Sequence, residues 1–260
     1  MGTAEAQGRL WGAAARDWAD LAEPVQAPFF EAALDALGIE SGTRLLDAGC
    51  GAGLALVLAA RRGAAVTGLD ASAGLLAIAR ERLPEADLRE GDLEALPFED
   101  DSFDAVTAFN SVQYAGNPTA ALREIKRVAR SGRLVAITTW GRPEQCEMRA
   151  VLAAIGSLLP PPRPGAGGAF ALAAPGALEA LVESAGLTAE RAIDVPTPYT
   201  HHDFETAVRS HLSSGPARRA IDTAGLEAAR EVVAAVCAEA LQPDGTVTFA
   251  NMFKVLIARA

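Results

Sequence analysis

LLDAGCGAGLAL, residues 45–56, carries an apolar run straight into a turn holding Gly49, Gly51 and Gly53, and then into a helix-forming segment. Glycines at such a turn let the backbone take positive φ and let a ligand approach the main chain with no Cβ in the way. Alone, the turn is a weak sign of a nucleotide site. The next segment strengthens it: AAVTGLD, residues 64–70, is a second short apolar run that ends in Asp70. A carboxylate about 20 residues past the glycines, at the C-terminal end of the following strand, can accept from both hydroxyls of a ribose. The plain alternative for Asp70 is an acid at a helix start before Ser72.

Outward from this pair, short apolar runs keep alternating with helical periodicity. Helices are predicted over 54–62, 73–83 and 118–130, and strands within ADLREGD (86–92), FDAVTAFN (103–110) and RLVAITTW (133–140). Strands that alternate with helices pair in parallel, because each crossover needs a helix to return the chain to the same edge. The pattern is that of a doubly wound α/β sheet. Asn117-Pro118 supplies a cap and a first-turn proline for the third of these helices, and Ser131-Gly132 reads as its stop.

Before the sheet, residues 5–21 and 26–37 read as two helices split by Pro24, the second closed by Gly38. After Trp140 a helix is expected from 144 to 159. The stiff run from Pro160 to Gly165 follows, and it loosens through Gly167-Gly168. Then come a helix over 176–185, a strand over 187–195, a mostly helical stretch over 201–241, and a final strand in TVTFANMFKVLIARA (246–260). The size fits one domain over 1–260, with a helical cap at 1–40 and a ligand-binding core at 41–140.

Composition narrows the function. With 23 basic against 33 acidic residues, the surface repels phosphate backbones, so nucleic acid is not the expected partner. Cys50, Cys146 and Cys237 form neither a disulfide framework nor a zinc pattern, and reduced thiols in the cytoplasm are the simple expectation. No apolar run approaches the roughly 20 residues of a membrane span, and no export signal stands at the start. No metal site is expected.

Two reaction classes compete for the glycine turn. A dinucleotide oxidoreductase wants G-x-G-x-x-G, but Leu54 stands where its third glycine should be and Asp47 precedes the first. A carboxylate there repels a pyrophosphate and suits a cationic amino group or a sulfonium.

Four motifs in order, LLDAGCGAG, VTGLDAS, EGDLEALPFEDDSFDAVTAFNSVQY and SGRLVAITTW, resemble the class I S-adenosylmethionine-dependent methyltransferases, of the small-molecule type related to ubiquinone-biosynthesis enzymes. The resemblance is good over about residues 44–140 and loose elsewhere. It implies a Rossmann-like, mostly parallel seven-stranded sheet with N-terminal helices and a helical insertion between the last two strands, at 200–243, that covers the substrate as a lid, with the first helices, carrying Trp11 and Trp18, as the other wall. It also implies S-adenosylmethionine as cofactor and methyl transfer to a small-molecule acceptor. Gly49, Gly51 and Gly53 then shape the turn against the methionine half of the cofactor, with Asp47 near its amino group and Cys50 a small packing residue within the same loop. Asp70 takes the ribose, Ala71 lies against the adenine, Asp92 accepts from the adenine amino group, Leu93 offers a backbone amide, and Asn110 faces the methionine portion.

Methyl transfer needs mainly alignment and dryness, and a base only where the acceptor must lose a proton. Tyr114 in SVQY, where relatives often carry histidine, and His201 and His202 in the late segment are the candidate catalytic groups, while His211 reads as a helix-face residue. His201-His202 beside Asp203 read equally as a solvated helix start. Trp18 and Trp140 are candidate acceptor contacts, although Trp11 and Trp18, seven apart, also fit a shared core face. The competing functions are a nicotinamide-dependent oxidoreductase and a non-catalytic module that binds S-adenosylmethionine.

Overall fold

A computed structural model describes residues 3–161 and 167–260. Its central sheet has seven strands in the order β3-β2-β1-β4-β5-β9-β6. They are β1 (Arg44–Ala48), β2 (Ala65–Asp70), β3 (Asp87–Glu90), β4 (Phe103–Phe109), β5 (Ala129–Trp140), β6 (Thr188–Pro196) and β9 (Met252–Arg259). β1 to β5 pair in parallel, and β9 runs antiparallel between β5 and β6. The reversal of strand order between β1 and β4 opens a crevice at their carboxyl ends, the place where open α/β sheets bind ligands.

The crossover helices are α4 (Leu54–Arg61), α5 (Ala73–Arg82) and α6 (Pro118–Val128), followed by α7 (Met148–Ser157) and α8 (Ala177–Ser184). Capping follows the sequence: Ser72 Oγ accepts from the Leu75 amide at 3.2 Å, and Asn117 Oδ1 from the Ala120 amide at 3.1 Å. Between β6 and β9 lies the helical insertion, made of α9 (Phe204–Leu212), α10 (Gly215–Ala224) and α11 (Leu226–Glu239), with a small hairpin of β7 (Tyr199–His201) and β8 (Val247–Phe249) at its base.

Three boundaries differ from the sequence expectation. The helix expected to reach residue 130 ends at Val128, because the carbonyls of Arg127 and Val128 are taken by the amides of Asp101 and Ser102 at 3.0 and 2.9 Å. Ala129 is therefore already strand, and Gly132, with φ +78°, lies inside an irregularity of β5 and does not close the helix. The final strand divides at Asn251, which is buried. Its Oδ1 accepts from the Met148 amide and its Nδ2 donates to the Phe249 carbonyl, both at 3.1 Å, so β8 leaves the main sheet for β7.

The third difference is at the front. The helix expected over 5–21 breaks at Ala13-Ala14 into α1 (Ala4–Gly12), a one-turn α2 (Ala15–Asp17) and a π-turn over Trp18–Ala22, before α3 (Ala27–Leu37). Local propensity favours a continuous helix, and tertiary contacts override it. α1 is drawn onto the loop after β2, where a Cβ on Gly8 would stand 2.0 Å from the Ala71 carbonyl oxygen and one on Gly12 2.7 Å from Ser72 Oγ. The run from Pro160 to Gly165 falls largely on residues 162–166, outside the described residues.

Candidate active site

The glycine turn is held down by β2: the amides of Gly49 and Cys50 both donate to the Leu69 carbonyl, at 2.7 and 3.0 Å. Gly49, Gly51 and Gly53 have φ of +90°, +54° and +85°. Their reasons differ. A Cβ on Gly49 would fall 2.4 Å from Ser111 Cβ, and one on Gly53 would press Ala79 of α5 at 3.1 Å, so both admit neighbouring protein. Beside Gly51 there is room, closed off only by Glu23 Oε1 and Trp18 Nε1 at 3.8 and 3.9 Å from that hypothetical Cβ. That is where a ligand can lie on bare backbone.

A single cavity opens over this turn. Of the residues singled out by sequence, Gly49, Gly51, Asp70, Ala71, Asp92, Leu93, Asn110, Tyr114, Trp18 and Trp140 line it together. Asp47, Cys50 and Gly53 stand behind the turn and do not line it. His201 is buried at the base of the insertion, away from the lining, and His202 is exposed with Nε2 2.7 Å from Asp203. The structure thus divides the three candidate catalytic groups: Tyr114 faces the cavity and the two adjacent histidines do not.

Asp70 fixes the turn as well as bounding the cavity. Its two carboxylate oxygens accept from the amides of Gly51 and Ser72, each at 2.8 Å, which leaves one lone pair on each oxygen for a ligand. Asp92 Oδ1 accepts from the Glu94 amide at 3.0 Å. Asn110 follows β4 directly with φ +50°, an uncommon conformation for a residue other than glycine, and such strain concentrates at binding sites.

The electrostatics are those of an anionic floor. Asp47 is 1% exposed, and Thr107 Oγ1 donates to it at 2.8 Å. Burial raises its pKa to about 7 against that hydrogen bond, with further repulsion from Asp70 and Glu23. Burial also raises Asp70 and Glu23. Of these three acids, Glu23 has an ion-pair partner, Arg82, whose guanidinium also donates to the carbonyls of Ala52 and Ala19 at 2.8 Å. The Glu23 carboxylate accepts from the Leu54 amide at 3.2 Å, capping α4 from another part of the chain. Cys50 is a buried thiol whose pKa burial pushes well up, so it packs and does not react.

Sequence reasoning placed the first helices, with Trp11 and Trp18, on this wall, and missed Glu23, Arg82 and the contribution of Thr3, Gln7 and Gly8 to the lining. A trace of the last was available, since Gly8 and Gly12 are four apart and so share one helix face. Glu23 carried no local signal: its role depends on Arg82, 59 residues away. The other end of the cavity is largely apolar, with Trp140, Met148, Val151, Ile155 and Tyr199, and His211 of α9 among them. Tyr114 packs edge-on to Trp11 at 5.6 Å, and burial pushes its phenol pKa up, so it keeps its proton at neutral pH.

This arrangement coincides with a known family. A family model described as a methyltransferase domain matches residues 46–137. Among curated proteins, the demethylmenaquinone methyltransferase of Renibacterium salmoninarum is 36% identical over 118 residues, 45% of this chain and 50% of that protein. The enzyme of the same name from Beutenbergia cavernae is 35% identical over 120 residues, again 50% of its length. The chain thus spans about half the length of the curated relatives it matches. Among solved structures, a putative methyltransferase from Bacillus halodurans superposes with TM-score 0.61 over 88% of this chain and 97% of that one, at 17% identity. The [4+2]-cyclase SpnF superposes with TM-score 0.57 over 89% and 80%, at 23% identity, a likeness of fold alone.

Residues 46–137 thus match a methyltransferase domain. The sheet with its flanking and N-terminal helices is a Rossmann-like fold, shared with the Bacillus halodurans structure. No helix among the described residues is long and apolar enough to cross a membrane, and no group of acidic, histidine or cysteine side chains among them is arranged to hold a metal ion.

Proposed function

We propose that this chain is an enzyme that transfers the methyl group of S-adenosylmethionine to a small-molecule acceptor. The observation that carries the reading is the single cavity with an anionic floor at one end, around Gly51, Asp70 and Asp92, and apolar walls at the other. The residues fit the donor. Gly51 leaves bare backbone for its methionine half, Asp70 has lone pairs for the ribose hydroxyls, and Asp92 and Leu93 supply an acceptor and an amide for an adenine edge. A diphosphate fits poorly, because the turn sits over Asp47, Asp70 and Glu23 and none of these is offset by a cation except Glu23.

The donor supplies an activated methyl carbon. The protein's task is to hold the acceptor in line with it and keep water out, which converts an encounter in solution into an oriented displacement. α1 and the π-turn at Trp18 line the cavity and pack directly against α10 and α9 of the insertion. The insertion then serves as a lid, and the whole chain acts as one methyltransferase unit.

The test is a thermal-shift series with S-adenosylmethionine, S-adenosylhomocysteine and NAD, since a ligand that binds only the native state raises the melting temperature. Stabilisation by the first two and none by NAD is the expected result, and stabilisation by NAD alone contradicts the reading. Release of S-adenosylhomocysteine on incubation with acceptors separates an enzyme from a module that only binds.

A further inference from the structure

The amino-acid head of the methyl donor carries a carboxylate as well as an ammonium, and the glycine turn has no free amide for it. The amides of Gly49 and Cys50 donate to the Leu69 carbonyl, that of Gly51 to Asp70, and that of Gly53 to the Cys50 carbonyl at 2.9 Å. The N-terminus of α4, where an anion ordinarily settles, is filled by the protein's own Glu23, which accepts from the Leu54 amide at 3.2 Å and is also steadied by the Ala52 amide. No lysine or arginine is among the described residues that line the cavity. A carboxylate over Gly51 therefore needs a donor from outside the turn.

Trp18 has one to give. Its Nε1 stands 3.9 Å from the point that a Cβ on Gly51 would occupy; apart from Glu23, no other residue beyond the turn's own neighbours comes within 4 Å of that point. The nitrogen has no hydrogen-bond partner among the described residues, yet it is not sealed in protein, and Trp18 lines the cavity. An indole nitrogen only donates, so the direction of any bond it makes is fixed. Rival donors at this end are turned elsewhere: Trp11 Nε1 donates to Gln7 Oε1 at 3.1 Å, Gln26 Nε2 to the Ala22 carbonyl at 3.3 Å, and Ser111 Oγ to the Ala48 carbonyl at 2.8 Å. The π-turn and the edge-on ring of Trp11, 4.8 Å away, hold the indole in place, so little freedom is lost when a ligand arrives.

We propose that Trp18 receives the carboxylate of the donor's amino-acid head, its Nε1–H donating to that group over the bare backbone of Gly51. The inference rests on the methyl-donor reading of this cavity. The ammonium of the same head turns to the acidic side, where Glu23 Oε1 lies 3.8 Å from the same point and Asp47 is buried behind the turn. One spot thus offers an N–H and a carboxylate oxygen to the two opposite charges of a zwitterion. Trp18 is then a contact of the cofactor and not of the acceptor, the role its place in the sequence suggests.

The experiment titrates the full chain calorimetrically with S-adenosylhomocysteine and with decarboxylated S-adenosylhomocysteine, which lacks the carboxylate alone. The native protein is expected to prefer S-adenosylhomocysteine by about tenfold, the size of one hydrogen bond to a charged group. Trp18→Phe keeps an aromatic ring against Trp11 and loses the N–H; it should weaken S-adenosylhomocysteine by about the same factor and leave the decarboxylated ligand unchanged. The chain has three tryptophans, so their indole N–H resonances give a second readout by NMR. That of Trp18 should move further downfield with S-adenosylhomocysteine than with the decarboxylated ligand. The proposal is overturned if Trp18→Phe weakens both ligands alike, as a merely structural role would, if it weakens neither, or if the Trp18 resonance answers equally to the two. Should Trp18→Phe not fold, the resonances of the native protein decide, that of Trp18 being the one kept in both Trp11→Phe and Trp140→Phe. Failure of S-adenosylhomocysteine itself to bind is a different result: it removes the methyl-donor reading and this proposal with it.

Discussion

Asp47 makes donor binding depend on pH, and its surroundings set the size of the effect. Its pKa is raised from 3.8 to about 7, chiefly by burial. The folded protein therefore holds this proton more tightly than the unfolded chain, and the stability so gained below about pH 4 is lost as pH rises through 7, on the order of 4 kcal/mol at full ionisation. A ligand cation over Gly49 and Gly51 binds the ionised carboxylate in preference and draws the proton off. With a pKa of about 7, Asp47 is ionised in about one molecule in eleven at pH 6 and one in two at pH 7, so affinity for S-adenosylmethionine rises about fivefold between them. Calorimetry in buffers of different ionisation enthalpy should register about 0.9 proton released per ligand at pH 6. In Asp47→Asn, which keeps an acceptor for Thr107 Oγ1, both effects should vanish. An affinity that does not change between pH 6 and 7, or the same rise in Asp47→Asn, refutes the reasoning.

Other substitutions read other parts of the site. Asp70→Ala removes the acceptor for the Gly51 and Ser72 amides and for the ribose, and should weaken S-adenosylhomocysteine binding by about 1.5–3 kcal/mol in a calorimetric titration. Gly8→Val should lift α1 from the Ala71 carbonyl. The expected readout is faster dissociation of S-adenosylhomocysteine in stopped-flow fluorescence, with the melting temperature of the ligand-free protein little changed. Glu23→Ala leaves the half-buried Arg82 guanidinium and the Leu54 amide without their carboxylate, and by chemical denaturation should cost about 1–3 kcal/mol of stability, the range for leaving a buried polar partner unsatisfied.

The glycine-turn end of the cavity was legible because its pattern is local. Gly49, Gly51 and Asp70 lie at the ends of adjacent strands, and a strand end is visible in a run such as VTGLD. Periodicity likewise specified the parallel strands and the helices between them. The apolar end was not legible in the same way. Trp140, Met148 and His211 reach one wall from β5, α7 and α9, and that meeting depends on how the insertion folds back. His201 and His202 drew attention as neighbours in sequence, yet β7 directs one inward and leaves the other in solvent, while His211, on the inner face of α9, reaches the cavity. Helix ends misread from sequence, at Val128 and at Ala13, were those settled by distant carbonyl and amide partners or by close packing of glycines.

A crystal structure with S-adenosylhomocysteine tests the central claim most directly. The account predicts both ribose hydroxyls within about 3 Å of the Asp70 carboxylate, the adenine between Ala71 and Leu93 with its amino group on Asp92, and the methionine half over Gly49 and Gly51. Density for the ligand elsewhere, or for an adenine nucleotide with its phosphates on the glycine turn, would contradict it.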